Sequence, residues 1–310
     1  MSISAIKTAL ENLNTFQNWS LQLLNIKVSQ RSGIDYRSRQ ITLTPANRLT
    51  ELLDEITSTY LKIGKDKLSQ YRDVLDYDGS ADALNIYKLP STSELISQEY
   101  NKLMRIIANP DVESNPFEYK SAYILKGELT IAGNLIPIKL VSIQSPVTTL
   151  KNKFFLQNST FQELSQPVIH LRPTVDIIIL DSTVYFLTLN GEKLFNMERS
   201  YRTVCHSQLE IIDQTGIIHG IDQFKSVAES GHNPRRFVAF NPSRLEALKR
   251  KHKRQEMAKQ FAIPLDAFGD KFDATIEHAS EKIVKLLCNK GMTDPFEKVA
   301  VEVDSARKWQ

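Results

Sequence analysis

The sequence predicts an α+β fold, in which an N-terminal helix/strand domain precedes a mainly antiparallel sheet domain that ends in a helical region. Strand-like runs of apolar residues concentrate between residues 118 and 195, whereas helical periodicity dominates residues 198–310. The chain of 310 residues is also longer than most single domains. We therefore expect two domains, residues 1–112 and 113–310, which are divided at the loop "NPDVESNP".

The N-terminal elements follow from periodicity and turn chemistry. Residues 3–17 place their apolar side chains on one side, which predicts an amphipathic helix. Thr44 and Pro45 predict the start of a second helix, because threonine caps free N–H groups and proline fits the first helical position. The other N-terminal elements are strands at "SLQLLNIKV", "IDYRSRQITLT" and "LNIYKL", and a helix at "STSELISQEYNKLMRIIANP".

The second domain begins with strands and continues with helices. "YILKGELTIAGNLIPIKLVSI" predicts a hairpin whose turn includes Gly133 and Asn134. "VDIIIL" is almost wholly apolar, so we expect it to be a central strand that is covered on both faces. Further strands are expected at "NKFFL", "VIHLRP" and "TVYFLTL", and helices at "SYRTVCHSQLEII", "IDQFKSVAES", residues 242–261 and "FDATIEHASEKIVKLLCNK".

Composition and missing motifs exclude several classes of protein. No apolar run reaches the roughly 18 to 20 residues that span a bilayer, and the N-terminus lacks the apolar block of a signal peptide, so we expect a cytosolic protein. Cys205 and Cys288 lack the spacing of a zinc site or a disulfide framework, and we expect both in the core. GxGxxG, GxxxxGK[ST], HExxH and GxSxG are absent, so the sequence predicts no cofactor.

One short motif raises an enzymatic alternative. "PDVESNPFEYK" places Asp111 ahead of Glu118 and Lys120, which is similar to the PD-(D/E)xK nuclease signature, where two carboxylates hold a metal that activates water. Only six residues separate the two carboxylates, which is short for side chains that must converge from neighbouring strands. We interpret the stretch as a charged linker that enters a strand, and we keep a metal-dependent nuclease as an alternative.

Positive charge is concentrated in one segment. The chain has 39 basic and 36 acidic residues, a net charge of +3. Nine basic and two acidic residues lie between Gly231 and Gln260, so this segment carries +7 and the rest of the chain carries −4. Such a concentration on a mildly acidic body is typical of a site for a polyanion. The predicted DNA-contacting residues are Arg235, Arg236, Arg244, Lys249, Arg250, Lys251, Lys253, Arg254 and Lys259.

A single basic helix is expected over residues 242–261. Asn241 is suited to cap it, and Pro242 fits its first position. Within it "KRKHKR", residues 249–254, distributes cationic or imidazole side chains around the whole circumference, because successive residues are about 100° apart. An ordinary surface helix would keep an apolar stripe there. We therefore expect this part to lie against something anionic, with a solvated helix, an anionic membrane or an acidic protein as alternatives.

Two aromatic residues accompany the cations. Phe237 and Phe240 lie close in sequence to three of the arginines, a mixture that can combine phosphate contact with base stacking. The competing interpretation places both phenylalanines in the hydrophobic core.

The central block of the chain contains the strand "LRPTVDIIILD" and, after the next strand, the segment "GEKLF"; in these features it resembles the KwaB family of the Kiwa anti-phage defence system. The resemblance is clearest from about Tyr123 to Arg202 and rests on the order of the strands, on "LRPTVDIIILD" and on the "GEKLF" segment that follows the next strand. It implies a cytosolic, self-associating DNA-binding protein that works with the membrane protein KwaA. It assigns no DNA-contacting residues, so the basic segment is inferred from charge alone.

The sequence and the resemblance together predict a non-catalytic effector that binds DNA largely without sequence preference and obstructs phage DNA replication or transcription. The expected partners are DNA, KwaA and further copies of the chain, as a homodimer or a higher homo-oligomer. KwaA could recruit the protein to the inner face of the cell membrane. The alternatives are a nuclease that uses Asp111, Glu118 and Lys120, and an RNA-binding or scaffolding subunit.

Overall fold

The chain folds into two units. A computed structural model describes residues 3–29, 33–42, 47–56, 58, 87–110, 120–144, 154–157, 160–163, 171–188, 190–288, 291–293, 300–302 and 307–308. The first unit comprises Met1–Arg72 and Asp82–Met197, and the second comprises Asp73–Ala81 and Glu198–Gln310. Helices accompany a mainly antiparallel sheet, so the predicted α+β class is confirmed.

The first unit is built on a seven-stranded sheet with the order β2-β1-β4-β5-β8-β9-β3, in which every adjacent pair is antiparallel. A separate antiparallel pair is formed by β6 and β7. The strands of this unit among the described residues are β1 (Gln17–Ser29), β2 (Gly33–Ile41), β3 (Tyr87–Pro90), β4 (Lys120–Ile131), β5 (Asn134–Ile143), β6 (Phe154–Gln157), β7 (Thr160–Glu163), β8 (Ile177–Leu180) and β9 (Thr183–Phe186).

Two sequence predictions for this sheet are confirmed. The predicted hairpin forms between β4 and β5, and its two turn residues are Ala132 and Gly133, which both have positive φ, as two-residue hairpin turns that match the strand twist require. Asn134, which was expected in the turn, is the first residue of β5. All four residues of β8 are buried between β5 and β9, as the apolar run "VDIIIL" predicts.

Four helices complete the described part of the first unit: α1 (Ile3–Glu11), α2 (Asn47–Glu55), α3 (Ser97–Ala108) and α4 (Asn190–Leu194). Ile6 and Leu10 of α1 and Leu52 of α2 belong to the same buried cluster as Leu125 and Ile138 of the sheet. The core of this unit therefore joins residues from both sides of the expected boundary at residue 112.

The chain does not pass from one unit to the other at residue 112. Strands β1 and β2 precede this position, yet β1 pairs with β4, and β3 pairs with β9. The composition of "NPDVESNP" is that of a connection, but β1 before it and β4 after it pair with each other, and Leu21 of β1 and Leu125 of β4 lie in one buried cluster. Among the described residues, the chain changes unit instead between Met197 and Glu198, where the predicted helical region begins.

The second unit is mainly helical. It contains a parallel pair, β10 (Ile218–His219) and β11 (Phe272–Asp273), and an antiparallel sheet of β12 (Gly291–Thr293), β13 (Ala300–Glu302) and β14 (Arg307–Lys308). Its described helices are α5 (Met197–Thr215), α6 (Ile221–Ala228), α7 (Asn233–Arg236), α8 (Pro242–Leu248), α9 (Lys251–Gln260) and α10 (Ala279–Leu287).

In the second unit, each longer helix buries one face in a common core. Leu209, Phe224, Leu245 and Val284 lie in one buried cluster. Cys205 and Cys288 belong to the same buried cluster, as the sequence predicts, and burial raises the pKa of Cys205 to about 12. In the described part of the chain, no helix is both long enough and apolar enough to cross a membrane.

A candidate nucleic-acid interface

The predicted basic helix is two helices. Asn241 caps α8, since its Oδ1 accepts the N–H of Arg244 at 3.1 Å, but α8 ends at Leu248 and α9 begins only at Lys251. Between them Arg250 is extended, with φ −81° and ψ 121°. The change of direction lets Leu248 of α8 and Ala258 of α9 reach the same core, although residues 249–256 between them include no apolar side chain. The continuous helix that we expected over residues 242–261 therefore does not form.

Arg254 differs from the rest of the run because its side chain is buried, with 8% of the residue exposed. Its Nη1 donates to the carbonyl oxygens of Leu248 at 2.7 Å and Lys249 at 2.8 Å, and its Nε donates to the carbonyl oxygen of Asp270 at 2.7 Å. Carbonyls at the C-terminus of a helix lack partners within the helix, and a cation there is favourable to the helix dipole. The guanidinium of Arg254 thus stabilises the break and is not available to a phosphate.

The three upstream arginines also contact the protein. Arg244 Nη1 donates to the carbonyl oxygen of Leu286 at 2.6 Å, and burial lowers the pKa of Arg244 from its ordinary value. Arg236 Nη1 donates to Asn233 Oδ1 at 3.0 Å. The guanidinium carbon of Arg235 lies 5.1 Å from the centre of the Tyr201 ring, a cation–π geometry. These arginines are half-buried and serve packing as well as charge.

The remaining cations of the segment are at the surface. Lys249, Arg250, Lys251 and Lys259 are exposed, and the side chain of Lys253 is 45% exposed. We call these five residues the exposed cation cluster. His252 is exposed among them. These residues carry most of the positive charge that the segment presents to solvent.

Three members of the exposed cation cluster are paired with carboxylates. Lys249 contacts Glu246 and Lys253 contacts Glu256, each with Nζ and Oε2 2.6 Å apart, and Lys251 contacts Asp270. All six side chains are about half exposed, and an exposed ion pair of this kind contributes only about 0 to 1 kcal/mol. A phosphate can therefore compete for each ammonium group. Arg250 and Lys259 form no salt bridge with any residue that the structure describes.

The two phenylalanines that the sequence suggested for base stacking belong to the protein interior. Phe237 is 1% exposed and lies in the core of the second unit, and Phe240 packs against the same cluster. Their rings stack on each other, with centroids 6.4 Å apart. The competing core interpretation is the one that the structure supports.

A different phenylalanine is exposed near the cations. Phe268 is 84% exposed, whereas the other exposed large apolar residues range from 46% to 54%. It lies in the segment Asp266–Lys271, which we call the Phe268 turn and which connects two residues in an antiparallel bridge, Leu265 and Phe272. The sequence signal that could have revealed it is "DAFGD", an aromatic residue beside glycine and between two aspartates, a composition typical of a tight turn.

The Phe268 turn is held by its own hydrogen bonds. Asp266 Oδ1 accepts the N–H of Asp270 at 2.8 Å and the N–H of Lys271 at 3.2 Å, and these bonds hold the pKa of the Asp266 carboxyl below its usual value. Gly269 donates to the carbonyl oxygen of Asp266 at 2.8 Å and has a φ of +67°, a conformation that favours glycine.

Helix α9 fixes the Phe268 turn from outside. Lys251 pairs with the carboxylate of Asp270, Arg254 donates to the carbonyl oxygen of the same residue, and Gln255 Nε2 donates to the carbonyl oxygen of Gly269 at 3.0 Å. Positions separated by three and four residues share one side of a helix, so these three side chains form a continuous seam. The turn is thereby attached directly to the helix that carries the cations.

Two of the three residues of the short nuclease-like motif lie outside the described residues, so the nuclease alternative stays a prediction. Asp111 and Glu118 lie outside the described residues, and the backbone of Lys120 begins β4. Among the residues that the structure describes, no group of three or more histidine, cysteine, aspartate or glutamate side chains could hold a metal ion.

Comparison with known proteins places the chain in a family. No curated protein and no solved structure matches it. A family model described as "Kiwa protein KwaB-like" matches residues 138–294, about half of the chain. The match runs from β5 past α10, so it includes the basic segment as well as strands β8 and β9. The chain therefore belongs to the KwaB-like family of Kiwa proteins, which are components of an anti-phage defence system.

Proposed function

We propose that the chain acts in Kiwa defence by binding DNA through the exposed cation cluster, without reading base sequence. The observation that carries this proposal is the exposed cation cluster, in which Lys249, Arg250, Lys251 and Lys253 lie at or next to the break between α8 and α9, while the chain outside residues 231–260 is net negative. Lysine and arginine without a groove-reading element contact mainly phosphates, and phosphate contacts carry no sequence information.

The geometry of the break supports a backbone-binding role. Leu245, Leu248 and Ala258 anchor both helices in the core, so the cations at the break are presented from a fixed support. The extended Arg250 separates the two helices, and the side chains of the cluster can therefore reach phosphates in more than one direction. If about four to five phosphates are neutralised, log K should fall with log salt with a slope near −4.

The proposed consequence of binding is obstruction. A protein bound to the DNA backbone impedes enzymes that travel along phage DNA, so neither replication nor transcription would need to be stopped by cleavage. The family resemblance further supports cooperation with KwaA and self-association, and self-association would multiply the number of phosphate contacts for each assembly.

The direct test neutralises the cluster without touching Arg254. Lys249→Gln, Arg250→Gln, Lys251→Gln and Lys253→Gln combined remove four positive charges while keeping long side chains with good helix propensity. We expect thermal unfolding to stay close to that of the parent, and DNA affinity at moderate salt to fall by about one to two orders of magnitude.

A matched control removes four exposed cations from the first unit: Arg37, Arg48, Arg105 and Lys193, each replaced by glutamine. Two of them are ion-paired, Arg37 with Asp35 and Arg48 with Glu51, as in the cluster. This control should bind DNA like the parent. Equal affinity of the cluster variant and the parent would show that the cluster is only a solvated surface.

The same gel-shift series separates the alternatives. Duplex DNA, single-stranded DNA and RNA are tested in parallel, with magnesium or manganese present. A cleavage product that disappears when Glu118 or Lys120 is replaced by alanine would establish the nuclease, and exclusive binding of RNA would establish the RNA-binding subunit. DNA binding without a product supports the proposal.

A further inference from the structure

We propose that the ring of Phe268 stacks on an unpaired base, so that the protein prefers single-stranded or locally opened DNA to closed duplex. This inference rests on the DNA-binding function proposed above. It assigns the class of DNA that the site takes and the residue that recognises it.

The exposure of Phe268 is not explained by folding. Burying a phenylalanine side chain stabilises a protein by about 1.5 to 3 kcal/mol, and a ring that is 84% exposed gains little of this. The surrounding turn nevertheless has a defined conformation, because Asp266 accepts two backbone N–H groups and Gln255 holds Gly269. The fold therefore supports an apolar ring in solvent, as a preformed stacking platform requires.

The position of the ring relative to the cations fits a nucleotide. Lys251 belongs to the exposed cation cluster and also contacts the Phe268 turn through Asp270, and exposed Lys271 closes the turn. Proteins that bind single strands combine cations that follow the backbone with aromatic rings on which bases stack. Here both parts are joined by one helix, α9.

The chemistry around the ring favours a base over a lipid surface. Binding of a protein to a membrane interface grows with the apolar area that it inserts, and Phe268 stands alone between Ala267 and Gly269. Every base has a π-face, so stacking also agrees with binding that ignores sequence. In a closed duplex that face is covered by the neighbouring base pairs.

The test compares three probes of equal length: an oligo-dT strand, a strand of abasic sites and a DNA duplex. The abasic strand keeps the phosphates and lacks the bases. We expect Phe268→Ala to weaken binding of oligo-dT about tenfold, since one stacked base contributes about that much, and to leave affinity for the abasic strand and the duplex unchanged. Phe268→Tyr should bind like the parent, and 2-aminopurine placed in the single strand should be quenched by the parent but not by Phe268→Ala.

The outcomes distinguish this inference from the proposed function. Suppose that the four-charge variant binds all three probes more weakly than the parent while Phe268→Ala binds oligo-dT like the parent. This result would contradict the stacking role and would still support the DNA-binding function. An equal loss of all three probes in Phe268→Ala also overturns stacking. If the parent binds none of the probes, both proposals fall. Loss of binding to vesicles of phosphatidylglycerol in Phe268→Ala, with oligo-dT affinity unchanged, would assign the ring to a membrane.

Discussion

Among individual residues, Arg254 shows that neighbouring basic side chains have different roles. Replacing it with glutamine removes its hydrogen bonds to three backbone carbonyl oxygens, and a hydrogen bond from a charged donor contributes about 1.5 to 3 kcal/mol. We expect Arg254→Gln to lower the free energy of unfolding by about 3 kcal/mol, measured by urea denaturation. The exposed neighbour provides the comparison, since Lys253→Gln should change this free energy by about 0.5 kcal/mol or less. Equal stability of the two variants would contradict the structural role.

The carboxylates in the basic segment compete with DNA for its lysines. Glu246 and Glu256 each contact one lysine of the exposed cation cluster, and replacing both with glutamine frees these ammonium groups. We expect DNA affinity to rise about threefold or more at low salt, measured by fluorescence anisotropy, because each exposed pair contributes up to about 1 kcal/mol. Glu198→Gln, which releases Arg202 on α5, should leave the affinity unchanged. An unchanged affinity in the double variant would argue against phosphate contact at Lys249 and Lys253.

The sequence predicts where positive charge is concentrated, but it does not predict which of the basic side chains are buried in contacts within the protein. Counting identifies the segment because charge is a property of each residue alone. The burial of Arg254 depends on where the end of α8 lies in space, and the burial of Phe237 depends on packing against residues such as Phe224 and Leu245. Neither burial can be predicted from the spacing of residues in the sequence. The exposure of Phe268 could not be predicted from the sequence either, because an isolated apolar residue is ordinarily assigned to the core.

At the level of elements, helix starts were predictable where the signal is local. Asn241 and Pro242 begin α8 as expected, because a cap and a proline act on the first turn only. The end of α8 has no comparable signal, since lysine and arginine are good helix formers and continue the pattern. The break at Arg250 arises because the apolar ends of the segment must both reach one core.

A proline placed at residue 251 tests the break. Lys251 is the first residue of α9, where proline is favoured, and the extended Arg250 has the conformation that a residue before proline prefers. We expect Lys251→Pro to change the free energy of unfolding by about 0.5 kcal/mol or less. Gln255→Pro, inside α9, should cost about 3 kcal/mol or more. Similar losses in the two variants, measured by thermal or urea unfolding, would indicate one continuous helix.

For the whole molecule, the fold class was predictable and the strand order was not. Alternation and apolar runs reveal strands because each depends on a few adjacent residues. The pairing of β1 with β4 joins residues about a hundred positions apart, such as Leu21 and Leu125, and no local pattern specifies it. For the same reason the composition before β4 suggested a domain boundary at residue 112, although strands from both sides of this position pair in one sheet.

A polypeptide of residues 113–310 tests this sheet. It lacks β1, β2 and β3, so β4 and β9 would each lose a neighbouring strand and expose unpaired, apolar edges. We expect it to aggregate and to show no cooperative unfolding of the first unit, measured by size-exclusion chromatography and urea titration. A polypeptide of residues 198–310 contains the whole described core of the second unit and should unfold cooperatively. Cooperative folding of the sheet within 113–310 would restore the boundary at residue 112.

The anchor at Arg254 also determines how this region opens. Its guanidinium binds the C-terminus of α8 and the Phe268 turn together, so releasing either one removes a partner from the other. Amide hydrogens at residues 249–251 and 266–271 should therefore exchange with deuterium at similar free energies of opening, as one cooperative substructure. In Arg254→Gln the turn should exchange faster than α10, which keeps its own packing in the core. Independent exchange of the two stretches in the parent would show that the anchor does not couple them.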